Sequence, residues 1–330
     1  MSISNSFHPM LPLRPARIQT VLASSKVRAW GANRMVEAAQ DIIFETPDGV
    51  KLLGSYSQHD KRTTKGLVIL LHGWEGSANS TYILCTGRAL FQNGYSILRL
   101  NFRDHGESHH LNEGIFYAVL LEEVFQAVKQ ATRLAGELPV FLAGFSLGGN
   151  FVLRILQRCI DHPIENFHHA VAISPVLDPE KATLKTDETF LIRRYFLKKW
   201  FGSLKKKQRI FPALYDFSKV FSLKTIAAVT DVMLHDFSNY GSSKDYFKQY
   251  SVVKEAIKDI SVPTTIITAA DDPIIPVEDF HQLKTNDLTT LIIQPYGGHN
   301  GFIDGLYLHS WYDQRMIMIF DEIAREKSIS

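Results

Sequence analysis

The sequence predicts an α/β fold: a mostly parallel central sheet with helices on both faces and an inserted helical cap. Three observations carry this. Short apolar runs alternate with segments of helical period, the pattern of strands buried on both faces between crossover helices. The residues suited to chemistry all fall just beyond the carboxyl ends of these runs, where open α/β sheets bind ligands. And one connection, residues 176–262, is far too long for a loop and carries its own helical stretches, so it is an insertion.

In chain order, residues 1–36 are irregular, with Pro9, Pro12 and Pro15 and a short helix expected over residues 16–23; they form an arm lying on the core. Residues 41–46 and 51–57 alternate around Pro47-Asp48-Gly49 and form a hairpin. The core proper, residues 37–175 and 263–330, continues with strands over 66–71 and 95–101 and helices from Ser80 and over 116–134. The remaining strands are 140–143, 170–174, 264–269 and 289–294, and a helix from about Ser310 closes the chain.

The chain is organised around residues 138–150. An apolar strand breaks at Gly144-Phe145-Ser146-Leu147-Gly148-Gly149 and resumes as a helical pattern. A bare Gly-x-Ser-x-Gly occurs by chance in roughly one chain of this length in ten. Strand, sharp turn and helix around it give it meaning as a nucleophile elbow, with Ser146 projecting above the sheet. A serine needs a base, and the base a third group to orient it. Asp272, just before Pro273 and past a strand, is the expected orienting carboxylate, with Asp271 as the alternative. His299, past the next strand among Gly297, Gly298 and Gly301, is the expected base. Acyl transfer also needs oxyanion donors. The backbone N–H of Leu147, after the nucleophile, is one; that of Trp74, in the loop after the third strand, is the other. His72 reads as a brace for that loop, Arg103 and Asp104 as a structural ion pair or loop brace with substrate binding as the alternative, and His109 and His110 as solvated loop residues.

Together the elbow, His72-Gly73-Trp74-Glu75-Gly76-Ser77, Ala269-Ala270-Asp271-Asp272-Pro273 and Tyr296-Gly297-Gly298-His299-Asn300-Gly301-Phe302 resemble the α/β-hydrolase superfamily, and more narrowly its YheT-like branch. The likeness covers nearly the whole chain, including Pro15-Ala16-Arg17-Ile18-Gln19-Thr20 and residues 246–251. It implies the α/β-hydrolase fold, a Ser146–His299–Asp272 triad, and hydrolysis of carboxylic esters or lipids. Asp231 matches a recurrent acid of the branch. The segment Arg103-Asp104-His105-Gly106-Glu107-Ser108 follows the general superfamily loop instead.

Composition is ordinary, 45% hydrophobic and 21% charged with a formal net charge of +2, and points neither to nucleic acid nor to disorder. Cys85 and Cys159 are too few for a disulfide framework and read as buried helix residues. No metal or nucleotide motif occurs, so no cofactor is implied. The start of the chain has no secretory pattern and no apolar run is long enough to span a bilayer, so the expectation is a soluble cytoplasmic protein. Residues 190–209 hold eight Lys and Arg and no acid, interleaved with aromatics. The aromatics are expected to face the site and the cations the solvent, with weak contact to the inner face of an anionic membrane as the competing reading. The expected partner is a small-molecule ester with an apolar acyl or alcohol part. The alternatives are a thioesterase or acyltransferase using the same triad, and a non-catalytic ligand receptor on the same fold.

Overall fold

The computed structural model describes residues 6–60, 63–254 and 256–329; the first five residues of the expected arm lie outside it. The arm contributes α1 (Ala16–Ala23) and α2 (Arg34–Glu37). Then come β1 (Ala39–Glu45), β2 (Lys51–Ser57), β3 (Leu67–Leu71), α3 (Thr81–Gln92), β4 (Ser96–Leu100), α4 (Leu121–Ala131), β5 (Val140–Phe145), α5 (Leu147–Asp161) and β6 (Phe167–Ile173). Four helices follow before the sheet resumes: α6 (Pro179–Glu188), α7 (Phe190–Ile210), α8 (Ile226–Phe237) and α9 (Ser243–Gln249). The chain ends with β7 (Thr264–Ala269), α10 (Val277–His281), β8 (Thr289–Gln294), the two-residue strands β9 (Ile303–Asp304) and β10 (His309–Ser310), and α11 (Trp311–Ile329).

The eight long strands form one sheet in the order β1-β2-β4-β3-β5-β6-β7-β8. Only β2 runs antiparallel to its neighbours, pairing with β1 and β4; every other pairing is parallel. The period of two along each strand divides the core into two layers. Ile69, Leu71, Leu142 and Ala172 face one side, where Val124, Val128, Phe151 and Ile155 of α4 and α5 cover them. Val68, Leu70, Ala143 and Ile173 face the other, against Ile83 and Leu90 of α3 and Met316 and Phe320 of α11. Because β4 and β5 lie on opposite sides of β3, the connections leaving β3 and β5 part at this point. That is the switch point at which such sheets leave a crevice.

The helix expected over 116–134 starts later, at Leu121. Residues 116–120 are drawn off by side-chain partners: Phe116 N donates to Asp104 Oδ2 and Ala118 N to the Tyr246 hydroxyl. These bonds tie the segment to the β4 loop and to α9, an alternative to helical hydrogen bonding that local periodicity cannot reveal.

Candidate active site

Ser146 sits between β5 and α5 with φ 55° and ψ −116°, a conformation open in practice to glycine and costing a serine about 1–3 kcal/mol. Its neighbours hold it there. Ser146 N donates to Ile173 O at 2.9 Å, and its carbonyl accepts from Asn150 N at 3.0 Å. The turn closes because Gly148 has no side chain; a Cβ there would run into the carbonyls of Leu71 and His72. Ser146 is half-buried on the wall of a cavity, and its Oγ makes no hydrogen bond among the described residues.

Asp272 is buried beyond β7. Its Oδ1 accepts from Ile274 N and Ile275 N at 2.7 and 3.0 Å, and its Oδ2 lies 2.8 Å from His299 Nδ1. With Nδ1 turned to the carboxylate, Nε2 is the ring nitrogen left for other chemistry. Asp271, the alternative acid, faces elsewhere: its Oδ1 accepts from Gly298 N at 2.8 Å, and burial raises its pKa. It braces the histidine loop from below. The loop is drawn to the elbow's corner through β6, whose Ile173 O receives Ser146 N while the next residue, Ser174, receives Asn300 N at 3.4 Å.

The loop after β3 packs directly on the elbow, since a Cβ on Gly73 would sit 3.1 Å from Ser146 Cβ. Gly73 N donates to the Tyr82 hydroxyl and Glu75 N to His105 Nε2. The N–H of Trp74, between them, has no partner among the described residues, and neither has that of Leu147 at the first turn of α5, where helix N–H groups go unpaired by geometry. His72 does brace this loop: buried, it pairs through Nδ1 with Gly73 O at 2.8 Å and accepts Phe102 N on Nε2. Burial holds its pKa well below the usual imidazole value.

The cavity is walled by Ile115, Met233, Leu234, Phe247 and Ile274. Near the elbow Trp74 stacks on Phe196 with ring centroids 5.3 Å apart and meets Trp200 edge-on at 5.0 Å. Glu75 also lines it, and burial, opposed by Lys199, pushes its carboxyl up to about 8.

Two expectations need correction. His109 is not solvated: it is buried, bonded through Nε2 to Ser203 Oγ at 2.9 Å, and burial lowers its pKa to about 3. And although Arg194, Lys198, Lys199, Lys205 and Arg209 of α7 are exposed as expected, not every cation of that helix faces solvent. Lys207 is 1% exposed, with Nζ 2.8 Å from Asp104 Oδ1 and 2.6 and 3.0 Å from the carbonyls of Asn112 and Gly114. Lys199 and Lys206 donate to the carbonyls of Glu75 and Gly106. The expectation for Arg103 and Asp104, a structural ion pair or loop brace, agrees with the structure. Arg103 pairs with Glu123 and Asp104 with Lys207, so both are loop braces with distant partners. Asp231 lies exposed on α8, away from the cavity wall.

Residue-by-residue reasoning overlooked Gln19 and Thr20. Gln19 is fully buried; its amide donates to Leu13 O and Ile303 O and accepts Ile303 N. Thr20 Oγ1 accepts the backbone N–H of His299 at 3.0 Å. The histidine loop can approach this closely because Gly298 has no Cβ, which would strike Ala16 O. The one signal was the likeness carried by residues 15–20.

A family model described as serine aminopeptidase, S33 matches residues 62–299, well over half the chain. The chain belongs to this hydrolase family. Within it, the chain is similar to the putative esterase YheT of Escherichia coli, 27% identical over 83% of this chain and 82% of that protein. It is also similar to human phospholipase ABHD3, 21% identical over 92% and 75%. Among solved structures, the Pyrococcus furiosus esterase Pf2001 matches 86% of this chain and 90% of its own, with a TM-score of 0.54 at 20% identity. The serine hydrolase CCSP0084 of Cycloclasticus zankles matches 86% and 99% with a TM-score of 0.56 at 16% identity. The fold is the α/β-hydrolase fold of this family, and among the described residues no helix is long and apolar enough to cross a membrane.

Proposed function

We propose that this hydrolase cleaves carboxylic esters with an apolar acyl or alcohol part, through an acyl-enzyme on Ser146. The observations that support the reading are the buried Asp272–His299 hydrogen bond and a strained serine at the elbow whose neighbouring loop leaves one N–H unpaired. His299 Nε2 takes the Ser146 proton as Oγ attacks the ester carbonyl. Negative charge gathers on the former carbonyl oxygen, where the N–H groups of Trp74 and Leu147 stabilise it. Collapse expels the alcohol, which takes the proton back from His299. Water, deprotonated by the same imidazole, then releases the acid and restores Ser146. Asp272 holds the ring with Nδ1–H towards itself and stabilises the imidazolium.

The apolar wall supports an apolar substrate, as do the printed names of relatives that act on lipid esters. A thioesterase or acyltransferase would share the first half of this sequence and differ in its acceptor. The strain at Ser146 speaks against a receptor, which gains nothing from it. Labelling with a fluorophosphonate probe, followed by hydrolysis of p-nitrophenyl esters of increasing chain length, tests the reading. Native protein should label and Ser146→Ala should not, with a preference for the longer acyl chains. Labelling that survives the substitution, or a preference for charged esters, would refute it.

A further inference from the structure

We propose that the N-terminal arm and the β9–β10 hairpin form a docking surface for an anionic lipid bilayer. Exposed apolar side chains concentrate there. Val21, Val27 and Trp30 of the arm are 69%, 68% and 87% exposed, and Leu306 and Tyr307 at the hairpin tip 88% and 84%. Among the described residues, the only large apolar side chains at least 68% exposed beyond these five are Leu11, also in the arm, and Leu191. Concentrations of exposed large apolar side chains mark interaction sites.

Arg28 makes the two segments one surface. Its buried guanidinium donates to Ala23 O, Leu308 O and Ser310 Oγ, pinning the turn that carries Val27 and Trp30 against the hairpin that carries Leu306 and Tyr307. The charge of the arm selects the partner. Residues 1–36 contain no acid and five Lys or Arg. Arg17, Lys26 and Arg34 are exposed and make no ion pair among the described residues. Exposed apolar and aromatic side chains on a segment that also carries unpaired cations suit the boundary between acyl chains and anionic headgroups. On the basic helix α7, Lys199, Lys206 and Lys207 are already bonded to core loops, and its exposed Arg194, Lys198, Lys205 and Arg209 make it the competing surface that the test must separate.

The surface also adjoins the candidate site. Thr20 of the same arm holds His299, and Thr81 of α3, next to the Tyr82 that anchors Gly73, donates to Ser24 O at 3.2 Å. Docking would bring the site to a lipid surface, but the proposal itself does not rest on hydrolysis.

The test is co-sedimentation with vesicles of phosphatidylcholine alone and of equal parts phosphatidylcholine and phosphatidylglycerol, in native and Ser146→Ala backgrounds. Both proteins should partition at least about tenfold more strongly onto the anionic vesicles, with the excess lost in high salt. The triple variant Trp30→Ser, Leu306→Ser, Tyr307→Ser should lose about tenfold in partitioning. Arg17→Glu with Lys26→Glu should abolish the preference for anionic lipid. Circular dichroism and activity on a soluble ester check that both variants fold. Equal partitioning onto the two vesicles, or loss through Arg194→Glu with Lys198→Glu on α7 while the arm variants bind normally, would overturn the proposal. So would a dimer in light scattering that Trp30→Ser dissolves, which would make the patch a contact between copies.

Discussion

The histidine loop and the loop after β4 are both held at the carboxyl edge of the sheet by segments remote in sequence, and by opposite means. The arm holds the first with neutral groups: the Gln19 amide on Ile303 and the Thr20 hydroxyl on His299 N. Helix α7 holds the second with charge, inserting Lys207 among Asp104 and three carbonyls. Burial costs the charged latch much of what its pairing returns. It raises Asp104 to about 6 despite Lys207, and lowers the pKa of Lys207 despite Asp104. The neutral clamp carries no such penalty and should ignore pH and salt. The arm's hold on the histidine loop is thus made by groups that do not titrate, and Asp271, which accepts Gly298 N, is the titratable brace on that loop. The loop beneath the inserted helices is fastened by groups that titrate.

The largest expected effect lies on the histidine loop. Asp272→Asn should keep the fold and lower kcat by about 10⁴, since the amide can no longer hold the His299 tautomer; steady-state rates and a melting curve read both. Next is the charged latch. Lys207→Met strands a buried carboxylate and should destabilise the protein by about 3–5 kcal/mol in denaturant unfolding. Adding Asp104→Leu should recover most of the loss. If it does not, the latch works by shape and the contrast between the two loops fails. Thr20→Val removes the hydroxyl that accepts His299 N and donates to Ala16 O with little change of shape, which should cost about 1–3 kcal/mol. It should lower kcat more than it raises KM, to the same degree at low and high salt.

The smallest effect concerns pH. Histidines 105 and 109 are held neutral by burial, at about 4 and 3, so the unfolded chain binds protons that the folded chain refuses. Their contribution is complete above the unfolded value near 6.5 and is lost as pH falls towards those folded values. Asp104 has the opposite sign: its folded value exceeds the unfolded 3.8, so its contribution falls as pH rises from there to about 6. The melting temperature should therefore drop below pH 6.5, and His109→Gln should make that drop shallower. An unchanged slope would mean that His109 is not buried neutral.

Much of the site was legible in the sequence because its signals are local. Gly148 admits the tight turn at Ser146, and the acid and the histidine each follow an apolar strand that locates them. Choosing between Asp271 and Asp272 was beyond local reasoning, since adjacent side chains past a strand point different ways and only the position of the histidine loop shows which meets His299. His109 was misjudged for the same kind of reason: a polar loop is solvated until another segment covers it, and here α7 does.

From residue order alone come the alternation of strands and helices, the elbow, and the order of serine, acid and base, because each depends on side-chain period or turn sterics over a few residues. The packing of the whole chain decided which carboxylate faces the imidazole, that Thr20 holds a histidine 279 residues away, and that a lysine of an apparently solvated helix is buried. Those contacts are hydrogen bonds between groups that meet only after the sheet has formed, and the burial that makes them strong is set by neighbours no local window contains.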